Sequence, residues 1–262
     1  MRIPIFYSRI MLILAFAVKA DENFGMCIVY SPSPLESLIR HFNTAPAFGN
    51  EWPDDVYQDY SAPILCAGRD GPREARMASY GMVPKRHIPP DVKRFTTMNA
   101  RAESIGQLRS YAPSWQAGRL CLVPMRCYYE PNWETGSHVR WRIGMADGSD
   151  FAVAGLWREW SEQDGALSCA FTQITINADQ HELMRRFHRP EDEKRSLVIV
   201  PPEEYDAWLS CKDPELARSF LRSYPAVLMA AEPAPAQPKT STRSPASDAR
   251  PAAEQSAQAS LF

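Results

Sequence analysis

Four short stretches of the sequence place chemically active side chains among apolar neighbours. They are Met-Cys at 26–27, "NARAES" at 99–104, "RCYYEP" at 126–131 and "FTQITINADQHELMRRFHRP" at 171–190. Together they supply a thiol, a carboxyl group, an imidazole and an asparagine–arginine pair. A cysteine with a histidine and a glutamate can carry out nucleophilic catalysis with general acid–base assistance. An arginine fork beside an asparagine amide suits the binding of a phosphate group.

Each of these residues also has a simpler structural explanation. Cys27 could be a core thiol at the start of a strand, and Glu130 could be a surface acid at the end of one. Asn99 and Arg101 could cap and brace a turn. His188 could close a helix, where its charge suits the helix dipole. Residue types alone leave both sets of explanations open.

The bulk composition is that of an ordinary globular protein. The chain has 262 residues, of which 45% are hydrophobic and 23% are charged, and its net charge of −2 gives no hint of a nucleic-acid partner. The segment from Arg69 to Arg142 nevertheless holds thirteen basic and six acidic residues, an excess of seven positive charges. This excess fits either a local basic face or charges that scatter over several faces.

The cysteines indicate a reducing compartment. None of the six belongs to a CxxC pair, and none has the Cys/His spacing of a zinc site. In a chain of this length we expect mostly buried, reduced thiols rather than a disulfide framework. The pattern predicts a cytoplasmic protein with no metal and no organic cofactor.

The first 25 residues favour a different location. Arg2 and Arg9 precede an apolar run at 10–18, and small residues follow, as in a secretory signal peptide cleaved after Ala20. The run is too short for a transmembrane helix. Alternatively, residues 1–25 lie upstream of the true start, so this segment is predicted to be a leader or a misassigned start.

The elements that must position the active side chains follow from the hydrophobic patterns. Short β-type runs predict strands at 26–30, 120–123, 139–143, 151–154, 170–175 and 197–200. Helices are predicted at 35–42, 179–187, 203–210 and 214–223, the second of them capped by Asp179. Asp147-Gly148 and Asp164-Gly165 are turn signals at hairpin spacing. Because strands outnumber helices without alternating with them, we predict one α+β domain with a largely antiparallel, barrel-like β core flanked by helices.

The domain is predicted to span residues 26–231. From Glu232 onward the chain is rich in Pro, Ala and Ser, nearly free of large apolar residues and balanced in charge. Such a segment cannot bury enough surface to offset its ordering entropy, so residues 232–262 are predicted to form a disordered tail.

Seven motifs from Met26 onward resemble, in their order, the SOS response-associated peptidase (SRAP) family. They are Met-Cys, "YGMVP" at 80–84, "NARAES", "RCYYEP", "AGLW" at 154–157, "TINAD" at 175–179 and "FHRP" at 187–190. The resemblance covers residues 26–231 and implies a sensor of abasic sites in single-stranded DNA. It implies a covalent thiazolidine crosslink through Cys27, which becomes N-terminal when the preceding residues are removed. It also implies self-processing peptidase activity and a lyase-like activity.

The resemblance assigns roles to five further residues. Glu130 would move protons while the sugar ring opens and the imine forms, and His188 would assist at the imine stage and in reversal. Asn99 and Arg101 would hold the DNA backbone and the lesion, and Thr175 would be a polar residue near the site. The implied partner is single-stranded DNA containing abasic sites. We expect a cytoplasmic, nucleoid-associated monomer that contacts no membrane.

The sequence departs from the family pattern at several places. Cys27 is followed by Ile-Val, where the family often has Gly-Arg, and Glu130 stands between Tyr and Pro instead of Phe and Trp. The segment "EDEKRS" at 191–196 is an insertion after His188. These differences bear on how a DNA strand docks more than on the central chemistry.

Three other functions stay open at the level of sequence. A thiol peptidase acting on other proteins would use Cys27, His188 and Glu130 without needing a free α-amine. A noncovalent single-strand binding module would not need Cys27 at all. The apolar run near the N-terminus leaves a secreted protein as the third possibility.

Overall fold

The computed structural model of the protein describes residues 29–49, 51–69, 73–93 and 95–234. The strands are β1 (Val29–Pro32), β2 (Ser61–Ala67), β3 (Arg73–Tyr80), β4 (Asn99–Arg101), β5 (Leu120–Asn132), β6 (Val139–Met145), β7 (Phe151–Ser161), β8 (Leu167–Asn177), β9 (Arg195–Leu197), β10 (Ile199–Val200) and β11 (Met229–Pro233). The α-helices are α1 (Leu35–Arg40), α2 (Ala112–Gln116), α3 (Tyr205–Ser210) and α4 (Pro214–Arg218). Single 3₁₀ turns lie at Lys85–His87, Met184–Arg186, Pro202–Glu204 and Ala226–Leu228. No helix among these residues has the length or the apolar character needed to cross a membrane.

Five of the strands close into a barrel. They follow one another in the order β7-β8-β3-β2-β5, and β5 pairs back with β7. β10 lies beyond β7, whereas β6 and β11 extend the sheet from β5. Among the described strand pairs, only β3–β8 and β4–β8 are parallel. The predicted class, an α+β domain with a largely antiparallel, barrel-like core, is confirmed.

Strand β5 links the barrel to the rest of the sheet. Its residues 120–125 pair with β7, and its residues 128–132 pair with β6. β1 also pairs with the second half of β5, with Val29 opposite Tyr129. A strand that is covered on both faces must be apolar on both, as the start of β5 is. The same strand carries Glu130 into the interior near its end.

Two apolar layers stabilise the barrel. On one side of the sheet, Ile64, Val123 and Phe171 belong to a single buried cluster. On the other side, α3 covers the strands with Trp208, whose Nε1 donates a hydrogen bond to the backbone oxygen of Cys121 at 2.9 Å. The strands between these layers are buried on both faces, which explains the continuous apolar runs from which three of them, β5, β7 and β8, were predicted.

The segment 179–187 differs from its prediction. In place of a helix it contains a single 3₁₀ turn at Met184–Arg186. The carboxylate of Asp179 caps no helix and instead accepts hydrogen bonds from Asn177 Nδ2 and from the backbone N–H of Lys194, both at 2.9 Å. After this turn, Phe187 pairs with Asn132 at the end of β5. If the segment continued as a helix, it would turn away from that strand.

The two predicted hairpin turns have different outcomes. Asp164-Gly165 joins β7 and β8 as an antiparallel hairpin, as predicted. The prediction for Asp147-Gly148 is wrong, because β6 and β7 pair with different halves of β5 and not with each other. Gly148 does form a turn, with a φ of 75°. The helices α1, α3 and α4 occur where helices were predicted, but each is shorter.

Strand β11 continues past the predicted end of the domain at residue 231. Glu232 lies opposite Arg142, and Pro233 lies opposite Trp141 in β6. Pairing at the edge of a sheet uses backbone groups and needs no large apolar side chains, so the Pro/Ala-rich composition did not reveal it. Most of the predicted tail, like the predicted leader, lies outside the described residues.

Gly155 on β7 is expected to tolerate no side chain. A Cβ at this position would lie 2.6 Å from the backbone oxygen of Thr172 and 2.9 Å from Cys121 Sγ. Gly155→Ala should therefore lower the free energy of unfolding by about 1–3 kcal/mol, as measured by urea denaturation. Gly49→Ala, whose Cβ meets no atom nearer than 3.9 Å, should change it by less than about 0.5 kcal/mol. Equal effects of the two substitutions would contradict this prediction.

Candidate functional site

Two ionisable side chains meet at the end of β5. His188 Nδ1 lies 3.7 Å from Glu130 Oε2. Both residues are buried, with 3% of His188 and 4% of Glu130 exposed. Electrostatic interactions are stronger in such surroundings than at the surface, because little water screens them. The structure therefore brings together two of the three residues predicted to be catalytic.

The backbone holds His188 against β5. Its N–H donates a hydrogen bond to the backbone oxygen of Pro131 at 2.8 Å. Its φ of 64° lies in the left-handed region, which residues other than glycine rarely adopt. Asn132 Nδ2 donates to the backbone oxygen of Arg186 at 3.1 Å and so fixes the preceding turn. A conformation of this kind persists where the surrounding structure enforces it, and here it aims the imidazole at Glu130.

The hydrogen bonds of His188 restrict where its protons lie. Nε2 faces the backbone oxygen of Arg195 at 3.3 Å, and a carbonyl oxygen can only accept, so Nε2 carries a proton. Nδ1 is then the ring nitrogen that faces Glu130 Oε2. A carboxyl group and an imidazole can each bind or release a proton. Such a pair can donate a proton to a neighbouring group and take one back.

The residues predicted to bind DNA lie along β4 and β8. These strands are parallel, with Asn99 opposite Gln173 and Arg101 opposite Thr175. The backbone N–H of Ala102 donates to the backbone oxygen of Thr175 at 2.9 Å. The segments "NARAES" and "TINAD", which are far apart in the sequence, therefore lie side by side.

Arg195 lies within the segment predicted to be an insertion. It connects the Glu130–His188 pair with the residues of β4 and β8 that are predicted to bind DNA. Its buried guanidinium donates to both carboxylate oxygens of Glu103 at 2.9 Å and to Glu193 Oε1 at 2.7 Å. It also donates to the backbone oxygen of Thr175 at 2.9 Å and to its hydroxyl at 3.2 Å. Its backbone oxygen is the group that faces His188. One residue thus binds the β4–β8 side of the site and positions the imidazole.

A signal for Arg195 was present in the sequence. It opens the apolar run "RSLVIV", and a charge at the start of a buried strand requires a partner of opposite charge. Glu103 in "NARAES" is that partner. The pairing joins two segments with many residues between them, so neither segment predicted it by itself.

Arg101 and Thr175 are already occupied by contacts within the chain. Thr175 is 2% exposed, and its hydroxyl accepts a hydrogen bond from Arg195. Arg101 is half-buried, and its Nη1 donates to Glu193 Oε2 at 2.6 Å. Their roles in DNA binding stay predictions. To hold a phosphate, Arg101 must exchange its contact with Glu193.

Cys27, the third residue predicted to be catalytic, lies outside the described residues. The nearest described residue is Val29, which opens β1 opposite Tyr129. Because Tyr129 precedes Glu130 on β5, β1 begins beside the part of β5 that carries the buried carboxyl group.

The positive excess between Arg69 and Arg142 is compensated by acids from other parts of the chain. Eight of its basic residues form ion pairs within the part of the chain that the structure describes, namely Arg73, Arg76, Lys85, Arg86, Arg101, Arg126, Arg140 and Arg142. Every one of the eight has an acidic partner outside the segment. Most of the local positive charge is therefore neutralised, and a count along the chain does not locate a basic face.

An open groove of about 570 Å³ lies beside His188. Its lining includes Trp133, the cations Arg185, Arg186 and Lys194, and the acids Glu134, Asp179 and Glu182. An aromatic ring and several cations suit a nucleic-acid strand, whereas the acids rule out a purely cationic channel. Among the described residues, no group of three or more His, Cys, Asp or Glu side chains is arranged to hold a metal ion.

The sequence of this chain matches a known protein family. The model of the family described as SOS response associated peptidase (SRAP) matches residues 26–237. The chain belongs to the SRAP family. Its motifs "NARAES", "RCYYEP" and "FHRP" accordingly lie around the Glu130–His188 pair and the β4–β8 edge.

Several individual proteins are similar to this chain. The abasic site processing protein YobE of Bacillus subtilis (strain 168) is 32% identical over 146 residues, which are 53% of this chain and 63% of YobE. The abasic site processing protein YoaM of the same organism is 28% identical over 146 residues, or 61% of its own length. The match thus spans less than two thirds of each relative.

Solved structures support the fold. A Bordetella bronchiseptica protein of 31% identity superposes with a TM-score of 0.71, over 79% of this chain and 99% of that protein. A Bacteroides thetaiotaomicron protein of 19% identity superposes with a TM-score of 0.61, over 78% of this chain and 90% of that protein. The second likeness concerns the fold alone.

Arg195→Met should destabilise the protein strongly at pH 7. The substitution removes both donors that Arg195 gives to Glu103, and one donor each from Glu193 and the backbone oxygen of Thr175. We expect the free energy of unfolding to fall by about 3 kcal/mol, the lower end of the range for breaking a buried ion pair, because Glu103 is half exposed. Arg40→Met, which removes an exposed ion pair with Glu36, should lower the free energy of unfolding by less than about 0.5 kcal/mol. Urea denaturation measures both changes.

The cost of Arg195→Met should also depend on pH. Burial raises the pKa of Glu103, but the hydrogen bonds from Arg195 outweigh it and lower that pKa below the ordinary value of 4.5. The stability contributed by the pair is therefore fully present above pH 4.5 and is lost as the pH falls through the lowered pKa. The difference between wild type and variant should shrink in acid; a difference that stays constant would show that the pair is not its source.

Proposed function

We propose that the protein senses abasic sites in single-stranded DNA and forms a covalent thiazolidine crosslink with them through Cys27. The observation that carries this proposal is the buried Glu130–His188 pair next to the start of β1. Membership of the SRAP family supports it, as do the names of the two Bacillus subtilis relatives, which are abasic site processing proteins. The protein would act as a monomer at the nucleoid in the cytoplasm and would need no cofactor.

The position of β1 agrees with this role for Cys27. Val29 lies beside the residue that precedes Glu130 on β5. Only one residue separates Val29 from Cys27, so their Cα atoms lie at most about 7 Å apart in an extended chain. A mature chain that begins at Cys27 would therefore start close to the part of β5 that carries Glu130.

The chemistry requires both groups of an N-terminal cysteine. The abasic sugar is in equilibrium with an open-chain aldehyde, and the α-amine adds to the aldehyde carbon, with loss of water, to give an imine. The S–H bond then adds across the C=N bond, so that sulfur bonds to carbon, the proton goes to nitrogen and a five-membered ring closes. An α-amine with an ordinary pKa of about 7.7–8.0 is partly neutral at pH 7 and can start this sequence. An internal cysteine has no such amine.

The Glu130–His188 pair would supply the protons for these steps. Opening the sugar needs a proton on the ring oxygen, and forming the imine needs a proton on the departing hydroxyl group. A carboxyl group next to an imidazole can donate a proton in one step and recover it in the next. Reversal uses the same transfers in the opposite direction. Asn99 and Arg101 would hold the DNA backbone and the lesion, with Thr175 close by.

A second candidate function follows from the description of the family as a peptidase. Cys27, His188 and Glu130 would then hydrolyse peptide bonds, either in other proteins or only in the residues that precede Cys27. Action on other proteins needs the thiol but not a free α-amine. One extra residue before Cys27, or acetylation of its amine, would therefore abolish crosslinking and spare this peptidase activity.

Protein that starts at Met26, with the methionine removed, should crosslink to a single-stranded oligonucleotide carrying one abasic site. The product is expected as a shifted band on a denaturing gel, with an intact mass equal to protein plus oligonucleotide minus one water. Cys27→Ala should give no band, whereas Cys169→Ala, which removes a half-exposed thiol of β8, should give the wild-type yield. The mass of the protein must confirm Cys27 as its first residue. If such protein gives no band, the crosslinking function is wrong and the peptidase function becomes the favoured one.

Glu130→Gln should slow the crosslink without preventing it. The amide keeps the shape of the side chain but cannot give up or take a proton, so the rate should fall by about 100-fold or more in quenched time courses. Glu215→Gln removes an acid from the surface of α4 and should leave the rate unchanged. Urea denaturation of both variants shows whether they are folded. A folded Glu130→Gln protein with the wild-type rate would exclude Glu130 from the proton transfers.

A further inference from the structure

The carboxylate of Glu193 is bound by two arginines and an amide. Its Oε2 accepts from Arg101 Nη1 at 2.6 Å. Its Oε1 accepts from Arg195 Nη1 at 2.7 Å and from Asn177 Nδ2 at 3.0 Å. Each oxygen of one anion is therefore bonded to a different guanidinium. The arrangement forms an anion seat, defined by Arg101, Arg195 and Asn177.

A phosphodiester fits the same seat. Like a carboxylate, it has two oxygens that share one negative charge. The N–H donors of arginine bind either anion. An asparagine amide adds a neutral donor that both anions accept. The seat lies at the end of β4, on the edge that also carries Asn99.

We propose that Glu193 occupies the place of a DNA phosphate and that a bound strand displaces it from Arg101. This inference rests on the proposed function, since it concerns the strand that carries the lesion. Glu193 then sets the affinity for DNA: it competes with every phosphate that approaches Arg101. The ligand of the opened seat is one phosphodiester group of single-stranded DNA.

The surroundings of Glu193 allow this exchange. Its side chain is 36% exposed, and it belongs to the exposed segment that follows Pro190. When Glu193 leaves, Arg195 keeps both oxygens of Glu103. Arg101 has no other acidic partner within ion-pair distance in the described part of the chain, so it becomes available as a cation.

Glu193 is also charged under ordinary conditions. Burial raises its pKa, but hydrogen bonds from Asn177 and Arg195 and the charge of Arg101 outweigh this and lower that pKa below its usual range. At neutral pH the side chain is therefore an anion, as a phosphate is. Its displacement depends on competition with DNA and not on protonation.

The test measures noncovalent binding, so that crosslinking does not enter. The probe is a fluorescent single-stranded oligonucleotide with one tetrahydrofuran residue, an abasic analogue that has no aldehyde, and the readout is anisotropy at fixed ionic strength. Glu193→Gln should bind about fivefold more tightly than wild type, the change that corresponds to an ion pair at the upper end of the range for exposed pairs. Glu191→Gln removes the same charge from the same segment and should bind less than twofold more tightly.

A double-mutant cycle with Arg101 identifies the mechanism. Arg101→Ala should weaken binding, and Glu193→Gln should give no gain in that background, because the cation that it would release is gone. A gain of the same size in both backgrounds, or equal gains from Glu191→Gln and Glu193→Gln, would overturn the proposal for Glu193. Urea denaturation of each variant excludes a loss of folding as the cause.

The proposed function and this inference fail in different ways. If the wild-type protein neither binds the analogue nor crosslinks to a true abasic site, the proposed function is wrong and the inference falls with it. If the wild-type protein binds and crosslinks and Arg101→Ala weakens binding, while Glu193→Gln matches wild type, only the role of Glu193 is wrong.

Discussion

The buried guanidinium of Arg195 is the interaction on which the site depends. Moving a charge out of water costs several kcal/mol unless partners of opposite charge and hydrogen-bond acceptors surround it. Glu103, Glu193 and Thr175 are those partners, and they come from the turn after β4, the segment before β9 and strand β8. One charge therefore fixes three elements relative to one another. Because the backbone oxygen of Arg195 faces the imidazole of His188, the constraint extends to the acid–base pair.

The second constraint is the register of β5. Neighbouring residues of a strand point to opposite faces, so a slip of one residue would turn Glu130 away from His188. The register is set from both edges, by β1 through Val29 and Tyr129 and by β6 through Trp141, which lies opposite Glu130. Closure of the barrel uses the first half of the same strand. The position of the carboxyl group thus follows from the barrel and not from a local loop.

The parts of this structure that could be predicted from sequence are those encoded by local patterns. Apolar runs located the interiors of β5, β7 and β8, and the ordered motifs selected Glu130 and His188, which the fold brings within 3.7 Å of each other. The prediction of a helix at 179–187 was wrong, because the apolar residues of this segment pack against the end of β5 and do not form one face of a helix. The pairing of Arg195 with Glu103 and the neutralisation of the basic segment join distant parts of the chain, and no local pattern contains them.

The two halves of the site differ in their contact with water, and this difference suits their proposed tasks. The Glu130–His188 pair is buried, where proton transfer is protected from solvent, whereas Arg101 and Glu193 are partly exposed, where a strand can reach them. Arg195 touches both halves. Since it keeps Glu103 when Glu193 moves, an exchange of anions at Arg101 leaves the contact with His188 in place. In the proposed function, a strand would therefore dock and leave without disturbing the geometry of the Glu130–His188 pair.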